Sequence, residues 1–200
     1  MQLEQKYWEQ RYQNHTSGWD IGSPSTPIQS YIDQLKDRSI SILIPGAGNA
    51  YEAEYLHNAG FSDVTVIDFA PSPIAHLRQR VPEFPADNII EQDFFEHKGQ
   101  YDLILEQTFF CALTPNLRER YAEKTLELLK PGGTLAGLLF SQSFEKPGPP
   151  FGGSLEEYRS LFQDGYHIKV MESCYNSIAP RHGSELFFIM NKKIFRNKKL

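Results

Sequence analysis

Short apolar runs alternate with helix-period patterns along most of this chain. The apolar runs predict seven β-strands, over residues 40–44, 64–68, 88–91, 101–106, 135–140, 167–172 and 186–190. Apolar residues at helical spacing predict α-helices over residues 50–58, 73–80, 117–129 and 155–162. Such alternation is typical of a parallel sheet with helices on both faces, so we expect a doubly wound α/β fold.

The first 35 residues lack this regular pattern. They carry several large aromatic side chains, namely Tyr7, Trp8, Tyr12 and Trp19, but little regular apolar period. We interpret residues 1–35 as an arm or lid that lies on the sheet and adds no strand to it.

One domain over residues 1–200 is expected, because a chain of this length can bury a core of its own. Its core spans residues 36–192, where Pro131-Gly132-Gly133 is expected to end the 117–129 helix and turn the chain back. Residues 193–200 are mostly basic and are predicted to form a solvated tail.

A glycine turn after the first predicted strand is the most informative local motif. Gly46 and Gly48 lack a Cβ atom, so the backbone can turn sharply and lie against a ligand. Asp68 ends the next strand and follows Gly46 by 22 residues. An acid about 20 residues after such a turn contacts ribose hydroxyls in nucleotide-binding sheets. The pattern predicts a site for an adenosine-containing ligand.

The residues after this turn favour a ligand without phosphate. A dinucleotide-binding turn has a third glycine beneath the pyrophosphate, whereas Tyr51 stands at that position here. Glu52 adds a negative charge to the first helical turn, where a pyrophosphate favours the positive end of the helix dipole. S-adenosylmethionine has ribose hydroxyls and a cationic sulfonium but no phosphate, and it fits better than NAD.

Composition and net charge limit the classes of partner that this protein is expected to bind. Hydrophobic residues make up 40% of the chain and charged residues 22%, which is typical of a folded soluble protein. The net charge of −5 disfavours a nucleic-acid partner. The sequence shows no signal-type amino terminus and no membrane-length apolar run, so we expect a cytoplasmic protein without membrane attachment. The two cysteines and six scattered histidines match no metal-site spacing, and no metal is expected.

Five stretches together resemble one family. They are Trp8-x-x-x-Tyr12 with Trp19-Asp20-x-Gly22, the turn from Leu43 to Glu52, Gln92-Asp93-Phe94-Phe95, the segment from Tyr101 to Leu113, and Leu128-Leu129-Lys130-Pro131-Gly132-Gly133 followed by Gly148-Pro149-Pro150-Phe151. The chain resembles class I S-adenosylmethionine-dependent methyltransferases of the thiopurine methyltransferase family, which includes plant-type thiol and halide methyltransferases. The resemblance implies a seven-stranded mixed sheet whose last strand is antiparallel.

The resemblance also implies roles for particular residues. Trp8, Tyr12 and Trp19 would close over the cofactor. The remaining cofactor-binding positions would be Gly46, Gly48, Asp68, Phe69, Asp93, Phe94 and Glu106, with Glu106 near the methionyl amine. The acceptor pocket would be formed by Phe110, Phe140, Phe151 and Arg181. No catalytic base is assigned.

We therefore expect methyl transfer from S-adenosylmethionine to a small soft nucleophile, foremost a thiol, with S-adenosylhomocysteine as product. In-line displacement needs no strong base when the acceptor is a thiolate, because about a few per cent of a free thiol is ionised at neutral pH. Phe140 and Phe151 replace tyrosines of plant relatives, which disfavours halide transfer. We expect a monomer whose only partner is a small-molecule acceptor.

Two alternatives remain open at the level of sequence. The acceptor could be a halide, a metalloid such as tellurite, or a heteroaromatic thiol. The protein could also bind S-adenosylmethionine without catalysing a reaction, as a sensor or a degenerate enzyme.

Overall fold

The sheet has the predicted class and strand number. The structure, a computed structural model, describes residues 3–194. Its strands are β1 (Ile42–Pro45), β2 (Val64–Asp68), β3 (Ile89–Glu91), β4 (Tyr101–Glu106), β5 (Leu129–Phe140), β6 (Tyr166–Ser173) and β7 (Glu185–Lys192). They form one mixed sheet in the order β3-β2-β1-β4-β5-β7-β6. β7 is antiparallel to both of its neighbours, which confirms the predicted antiparallel last strand.

Helices cover both faces of this sheet. They are α1 (Gln5–Gln13), α2 (Thr26–Ile32), α3 (Tyr51–Asn58), α4 (Pro71–Arg80), α5 (Arg118–Leu128) and α6 (Leu155–Phe162). Single 3-10 turns span Ala86–Asn88, Phe94–Glu96, Phe110–Ala112, Pro115–Leu117 and Ala179–Arg181. No helix within residues 3–194 is long and apolar enough to cross a membrane.

The central strand β1 shows why both faces must be covered. All four of its residues are buried, and successive side chains point to opposite sides of the sheet. Ile42 and Ile44 join the apolar cluster that contains residues of α2, α3 and α4, whereas Leu43 joins the cluster that contains residues of α5 and α6. The two layers of core thus hold β1 from both sides.

Strand order sets the position of the site. β1 pairs in parallel with β2 on one side and with β4 on the other. The chain therefore moves outwards through β2 and β3 and then returns across β1 to begin β4. Such a switch point opens a crevice at the carboxyl ends of the strands, where ligands of α/β proteins bind.

The Pro-Gly-Gly segment differs from the prediction. The helix α5 ends at Leu128, and β5 begins at once with Leu129, which pairs with Tyr101. The next paired residues are Leu103 and Thr134, so residues 130–133 form an excursion within the strand and do not reverse the chain. Leu129 is fully buried, and its packing favours strand pairing before the interruption.

The amino-terminal segment contains two helices that the apolar pattern did not predict. Neither α1 nor α2 adds a strand, as expected. Ile28 and Ile32 of α2 are buried in the core, so this part of the segment packs as a core helix. The predicted basic tail lies outside the described residues from position 195 onwards.

Gly137 offers a test of the close β4–β5 pairing. A Cβ atom at this position would lie 2.1 Å from the backbone oxygen of Glu106. We predict that Gly137→Ala lowers the free energy of unfolding by about 1–3 kcal/mol, because overpacking displaces backbone atoms. Gly18→Ala is the control, since its Cβ would meet nothing within 4 Å. Equal stability of the two variants in chemical denaturation would contradict this packing.

Candidate functional site

A large cavity opens at the carboxyl edge of the sheet. Its volume is about 1230 Å³. The loops that follow β1, β2, β3 and β4 line it, and α1 with the segment after it covers one side. The predicted residues that line it are Trp8, Tyr12, Trp19, Gly46, Gly48, Asp68, Phe69, Asp93, Phe94, Phe140 and Arg181. The structure thus brings eleven of the fourteen predicted residues to one cavity.

Asp68 fixes the glycine turn. Its Oδ2 atom accepts a hydrogen bond from the Gly48 N–H at 2.9 Å, and its Oδ1 atom accepts one from the Ala70 N–H at 2.9 Å. Gly46 and Gly48 adopt positive φ angles of 56° and 54°, which L-residues rarely adopt. Burial raises the pKa of the Asp68 carboxyl to about 6, although hydrogen bonding to the backbone of Ala70, Gly48 and Phe69 opposes that shift.

Aromatic side chains of the amino-terminal segment close over this turn. The rings of Trp8 and Tyr12 each meet the ring of Trp19 edge to face, with centroids 5.3 and 5.6 Å apart. A Cβ atom on Gly48 would lie 2.9 Å from the Tyr12 hydroxyl, so the tyrosine rests directly on the turn. The three aromatic residues therefore form one wall of the cavity.

Polar contacts tie this segment to the rest of the domain. The Gln5 amide donates a hydrogen bond to the Phe69 carbonyl at 2.5 Å. The Glu9 carboxylate accepts hydrogen bonds from the Ser72 N–H, at 3.0 Å, and from its hydroxyl. These contacts place α1 against the start of α4, beside the end of β2.

Asp93 and Phe94 line the cavity beyond β3. The Asp93 carboxylate accepts a hydrogen bond from the Phe95 N–H at 2.9 Å and so begins a 3-10 turn. Phe94 is buried and packs edge to face on Phe109, with ring centroids 5.2 Å apart. Phe109 also covers the glycine turn, since a Cβ on Gly46 would fall 2.0 Å from its ring.

The resemblance implies that Glu106 lies near the methionyl amine, and in the structure its side chain does not line the cavity. Its side chain is fully buried. Oε1 accepts hydrogen bonds from the Phe109 and Phe110 N–H groups, both at 2.8 Å, and Oε2 accepts one from the Tyr121 hydroxyl at 2.6 Å. Burial raises the pKa of Glu106 to about 7. The carboxylate faces donors of its own domain.

The four predicted pocket residues separate into two pairs. Phe140 and Arg181 line the cavity, and the Arg181 guanidinium carbon lies 5.8 Å from the centre of the Phe140 ring. Phe110 and Phe151 do not line it. Phe110 packs among buried aromatic rings, including Tyr158, 5.7 Å away. Phe151 contributes its backbone, whose N–H donates to the Cys111 carbonyl at 2.7 Å.

Arg181 is a buried cation at the cavity wall. Its side chain is 9% exposed. Nη2 donates a hydrogen bond to the Trp19 carbonyl at 2.9 Å, and Nη1 lies 3.5 Å from a Glu185 carboxylate oxygen. Within residues 3–194, Nη1 has no hydrogen-bond partner. This Nη1 donor is itself buried from solvent and lies beside the Glu185 carboxylate.

The cavity also holds residues that the sequence did not assign to it. They include Gln107, Thr108, Phe109, Cys111, Leu113 and Arg120. Most of them follow β4. Because they come directly after a central strand, the sequence could have predicted that they lie at the cavity. Arg120 carried no such signal, because it lies in the first turn of α5 and not in a loop that follows a strand. The rest of this helix packs against one face of the sheet. In the described part of the chain, no three His, Cys, Asp or Glu side chains are grouped as metal ligands.

Sequence comparison finds relatives over nearly the whole chain. A sequence model of the family described as thiopurine S-methyltransferase (TPMT) matches residues 3–199. The chain is 28% identical over 184 residues to probable thiol methyltransferase 2 of Arabidopsis thaliana, covering 89% of this chain and 81% of that protein. It is 25% identical over 189 residues to thiocyanate methyltransferase 1 of Brassica oleracea, covering 92% and 83%.

Structural comparison finds the same architecture in a crystallised methyltransferase. The 1,6-didemethyltoxoflavin-N1-methyltransferase of Burkholderia thailandensis, solved with 1,6-didemethyltoxoflavin and S-adenosylhomocysteine bound, has a TM-score of 0.73 and 18% identity to this chain. The match covers 95% of this chain and 87% of that one. At this identity the likeness shows the fold alone, which is that of class I methyltransferases.

Glu106→Gln tests the cost of burying this carboxyl. Its pKa in the folded protein lies above the ordinary value of 4.5, so the folded state binds the proton more tightly than the unfolded chain. This contribution to stability is complete below pH 4.5 and is lost as pH rises through about 7. The amide does not titrate.

We therefore predict that, between pH 5 and pH 8, the free energy of unfolding of the wild type falls relative to that of Glu106→Gln. Chemical denaturation at both pH values measures the difference. Glu123→Gln, at an exposed helix position, is the control and should follow the wild type. A Glu106→Gln profile parallel to that of the wild type would refute the buried titration.

Proposed function

The chain belongs to the thiopurine S-methyltransferase family and is an S-adenosylmethionine-dependent methyltransferase, and from this premise we propose that it methylates a small, soft nucleophile, foremost a thiol. The observation that carries the proposal is a single cavity that combines a glycine turn, a buried carboxylate and aromatic walls with a buried arginine. Each part matches a different portion of the cofactor or of an anionic acceptor.

The residues at the turn fit the ribose of S-adenosylmethionine. Each oxygen of Asp68 accepts one backbone hydrogen bond, and a carboxylate has about four acceptor positions. Two ribose hydroxyls can therefore donate to Asp68 without displacing the bonds that hold the turn. Tyr51 follows Gly48 by three residues and starts α3, which leaves no third glycine for a pyrophosphate. Asp93, Phe94 and Phe69 are proposed to surround the adenine.

The aromatic wall fits the charged sulfur. When bound, S-adenosylmethionine supplies an electrophilic methyl group on a sulfonium. The rings of Trp8, Tyr12 and Trp19 are proposed to offer negative potential to that cation, and a desolvated contact of this kind is worth about 2 kcal/mol. The Arg11 guanidinium carbon also lies over the Trp19 ring, 5.2 Å from its centre. By covering the turn, the same rings exclude water from the reacting atoms.

The acceptor side is proposed to lie between Phe140 and the Pro149-Pro150 segment, with Arg181 as its cation. Arg181 would stabilise an anionic acceptor and favour the thiolate form of a thiol, since opposite charges nearby promote ionisation. No base among these residues is assigned to proton removal. Alignment of the acceptor with the carbon–sulfur bond and exclusion of water supply the rate enhancement.

A second acceptor class is favoured by the same arginine. A small anion with a soft sulfur atom, such as thiocyanate, would be neutralised by Arg181 without any deprotonation. The similarity to a thiocyanate methyltransferase supports this alternative. Halides fit less well, because the wall presents the phenyl ring of Phe140 and no hydroxyl there.

An acceptor panel tests the proposed function. S-adenosylhomocysteine release would be measured with hydrosulfide, small thiols, an aromatic thiol, a thiopurine, thiocyanate, iodide and tellurite. Turnover with thiols is the expected result. Turnover with thiocyanate alone would favour the second class. Silence across the panel with intact cofactor binding would refute methyl transfer to these acceptors and favour a protein that only binds the cofactor.

Asp68→Ala should weaken S-adenosylhomocysteine binding at least tenfold. The substitution removes the acceptor of the Gly48 N–H and, in our proposal, that of the ribose hydroxyls. Asp87→Ala, an exposed acid before β3, is the matched control and should bind normally. Isothermal titration calorimetry gives both affinities, and unchanged binding by Asp68→Ala would remove Asp68 from the site.

Trp19→Ala should also weaken cofactor binding, by up to about thirtyfold if it removes a cation–π contact worth about 2 kcal/mol. Tyr175→Ala is the control, because Tyr175 is an aromatic residue with 84% exposure. The thermal midpoint of the free protein is measured alongside. A loss of stability with normal affinity would mean that Trp19 only packs against its neighbours.

A further inference from the structure

Glu106 is a buried carboxyl group that the proposed chemistry does not use. A carboxylate removed from water is costly unless hydrogen bonds compensate for the lost solvation. Here three donors point at it, namely two backbone N–H groups and the hydroxyl of Tyr121. All three donors belong to this chain, so the carboxyl group has hydrogen-bond partners within its own protein.

Two of these donors belong to the loop that follows β4. The Phe109 and Phe110 N–H groups bind one oxygen of Glu106, which folds the loop back over the end of its own strand. Thr108, one residue earlier, has a φ angle of 59°, a region that L-residues other than Asn and Asp rarely enter. The loop therefore follows a path that needs a fixed anchor.

This loop, residues 107–113, forms much of the cavity wall. Every member except Phe110 lines the cavity. Its Cys111 carbonyl accepts the Phe151 N–H at 2.7 Å, which joins the loop to the Pro149-Pro150 segment. Displacement of the loop would thus move two parts of the proposed acceptor side, namely the loop itself and the Pro149-Pro150 segment joined to it.

The third donor comes from the helix behind the loop. Tyr121 of α5 is fully buried, and its ring packs edge to face on Phe110, with centroids 5.1 Å apart. Its hydroxyl holds the second oxygen of Glu106 at 2.6 Å. Tyr121 therefore restrains both the carboxylate and the loop.

We propose that Glu106 and Tyr121 form a positioning pair, which holds the 107–113 loop in the conformation that receives the methyl acceptor. The part that concerns the acceptor rests on the proposed function. The part that concerns the loop rests on the hydrogen bonds alone. Neither residue contacts the cavity, so both act through the loop.

The thiol of Cys111 reports on the loop without any substrate. Cys111 lies in the loop and is 7% exposed, whereas Cys174 is 4% exposed and belongs to the core cluster on the other face of the sheet. Labelling of buried cysteines by iodoacetamide requires local opening. Mass spectrometry of the two cysteine-containing peptides separates opening of the loop from opening of the whole domain.

Tyr121→Phe removes only the hydroxyl, and Tyr166→Phe is its matched control. Tyr166 is also buried in the same cluster, and its hydroxyl binds Thr125 at 2.8 Å, outside the cavity. We expect Tyr121→Phe to speed Cys111 labelling at least fivefold and to leave Cys174 within twofold of the wild type. Tyr166→Phe should change neither rate more than twofold. Unchanged Cys111 labelling in Tyr121→Phe would overturn the proposal.

Steady-state kinetics test the link to the acceptor. With the best thiol of the panel, Tyr121→Phe and Glu106→Gln should raise the acceptor KM at least threefold. Because Phe109 of the same loop covers the glycine turn, the Kd of S-adenosylhomocysteine should also rise, but by a smaller factor. An unchanged KM, or an equal loss of cofactor affinity, would overturn the assignment to the acceptor side. If the wild type methylates no thiol, the proposed function fails, and the labelling rates still decide the role of the pair.

Discussion

When helices cover both faces of a sheet, a ligand can reach its central strands only at their ends. This constraint determines where the cavity of this domain lies. Every residue of β1 and β2 is buried, and the two layers of helices leave no ligand access from above or below. Backbone groups at the carboxyl ends of the strands lack partners within the sheet. In the turns that follow these strands, side chains such as Asp68 and Glu106 accept hydrogen bonds from backbone N–H groups. The same turns form the wall of the cavity.

Two carboxyl groups at this edge of the sheet differ in what their side chains contact. Asp68 ends β2 and Glu106 ends β4, and burial raises the pKa of both. Each accepts backbone N–H groups and thereby fixes a turn. Asp68 still faces the cavity, where it can accept further donors, whereas Tyr121 completes the set around Glu106. A carboxylate at a strand end thus faces the cavity in β2 and faces donors of the protein interior in β4.

The amino-terminal segment completes the cavity from outside the sheet. Its aromatic rings rest on the glycine turn, and contacts from Gln5 and Glu9 reach the chain just after β2. Arg181 joins this segment to the opposite side of the site through the Trp19 carbonyl. This hydrogen bond therefore connects the aromatic wall with the part of the cavity that contains Phe140 and Arg181.

The sequence predicted the fold well because strand burial leaves continuous apolar runs. The strands of residues 64–68 and 101–106 were predicted with the observed bounds, since turn residues flank each run. Helices α1 and α2 were missed because their apolar residues are few and stabilised by contacts distant in sequence, such as Glu9 with Ser72.

Positions along the cavity that follow from backbone geometry were predictable from the sequence, whereas the direction of the side chains was not. Gly46, Gly48 and Asp68 lie where the strand ends require them. Glu106 and Phe110 also follow a central strand, but their side chains turn into the core, where Tyr121 and its aromatic neighbours receive them. The periodicity of apolar residues predicts which residues lie at the carboxyl edge of the sheet. It does not predict which neighbours their side chains contact.

A crystal structure of the complex with S-adenosylhomocysteine tests the central claim most directly. The account predicts the ligand in the cavity at the carboxyl edge, with its ribose hydroxyls within hydrogen-bond distance of Asp68 and its sulfur facing the aromatic wall of Trp8, Tyr12 and Trp19. A ribose that lies clear of Asp68, or a ligand bound elsewhere on the protein, would contradict it.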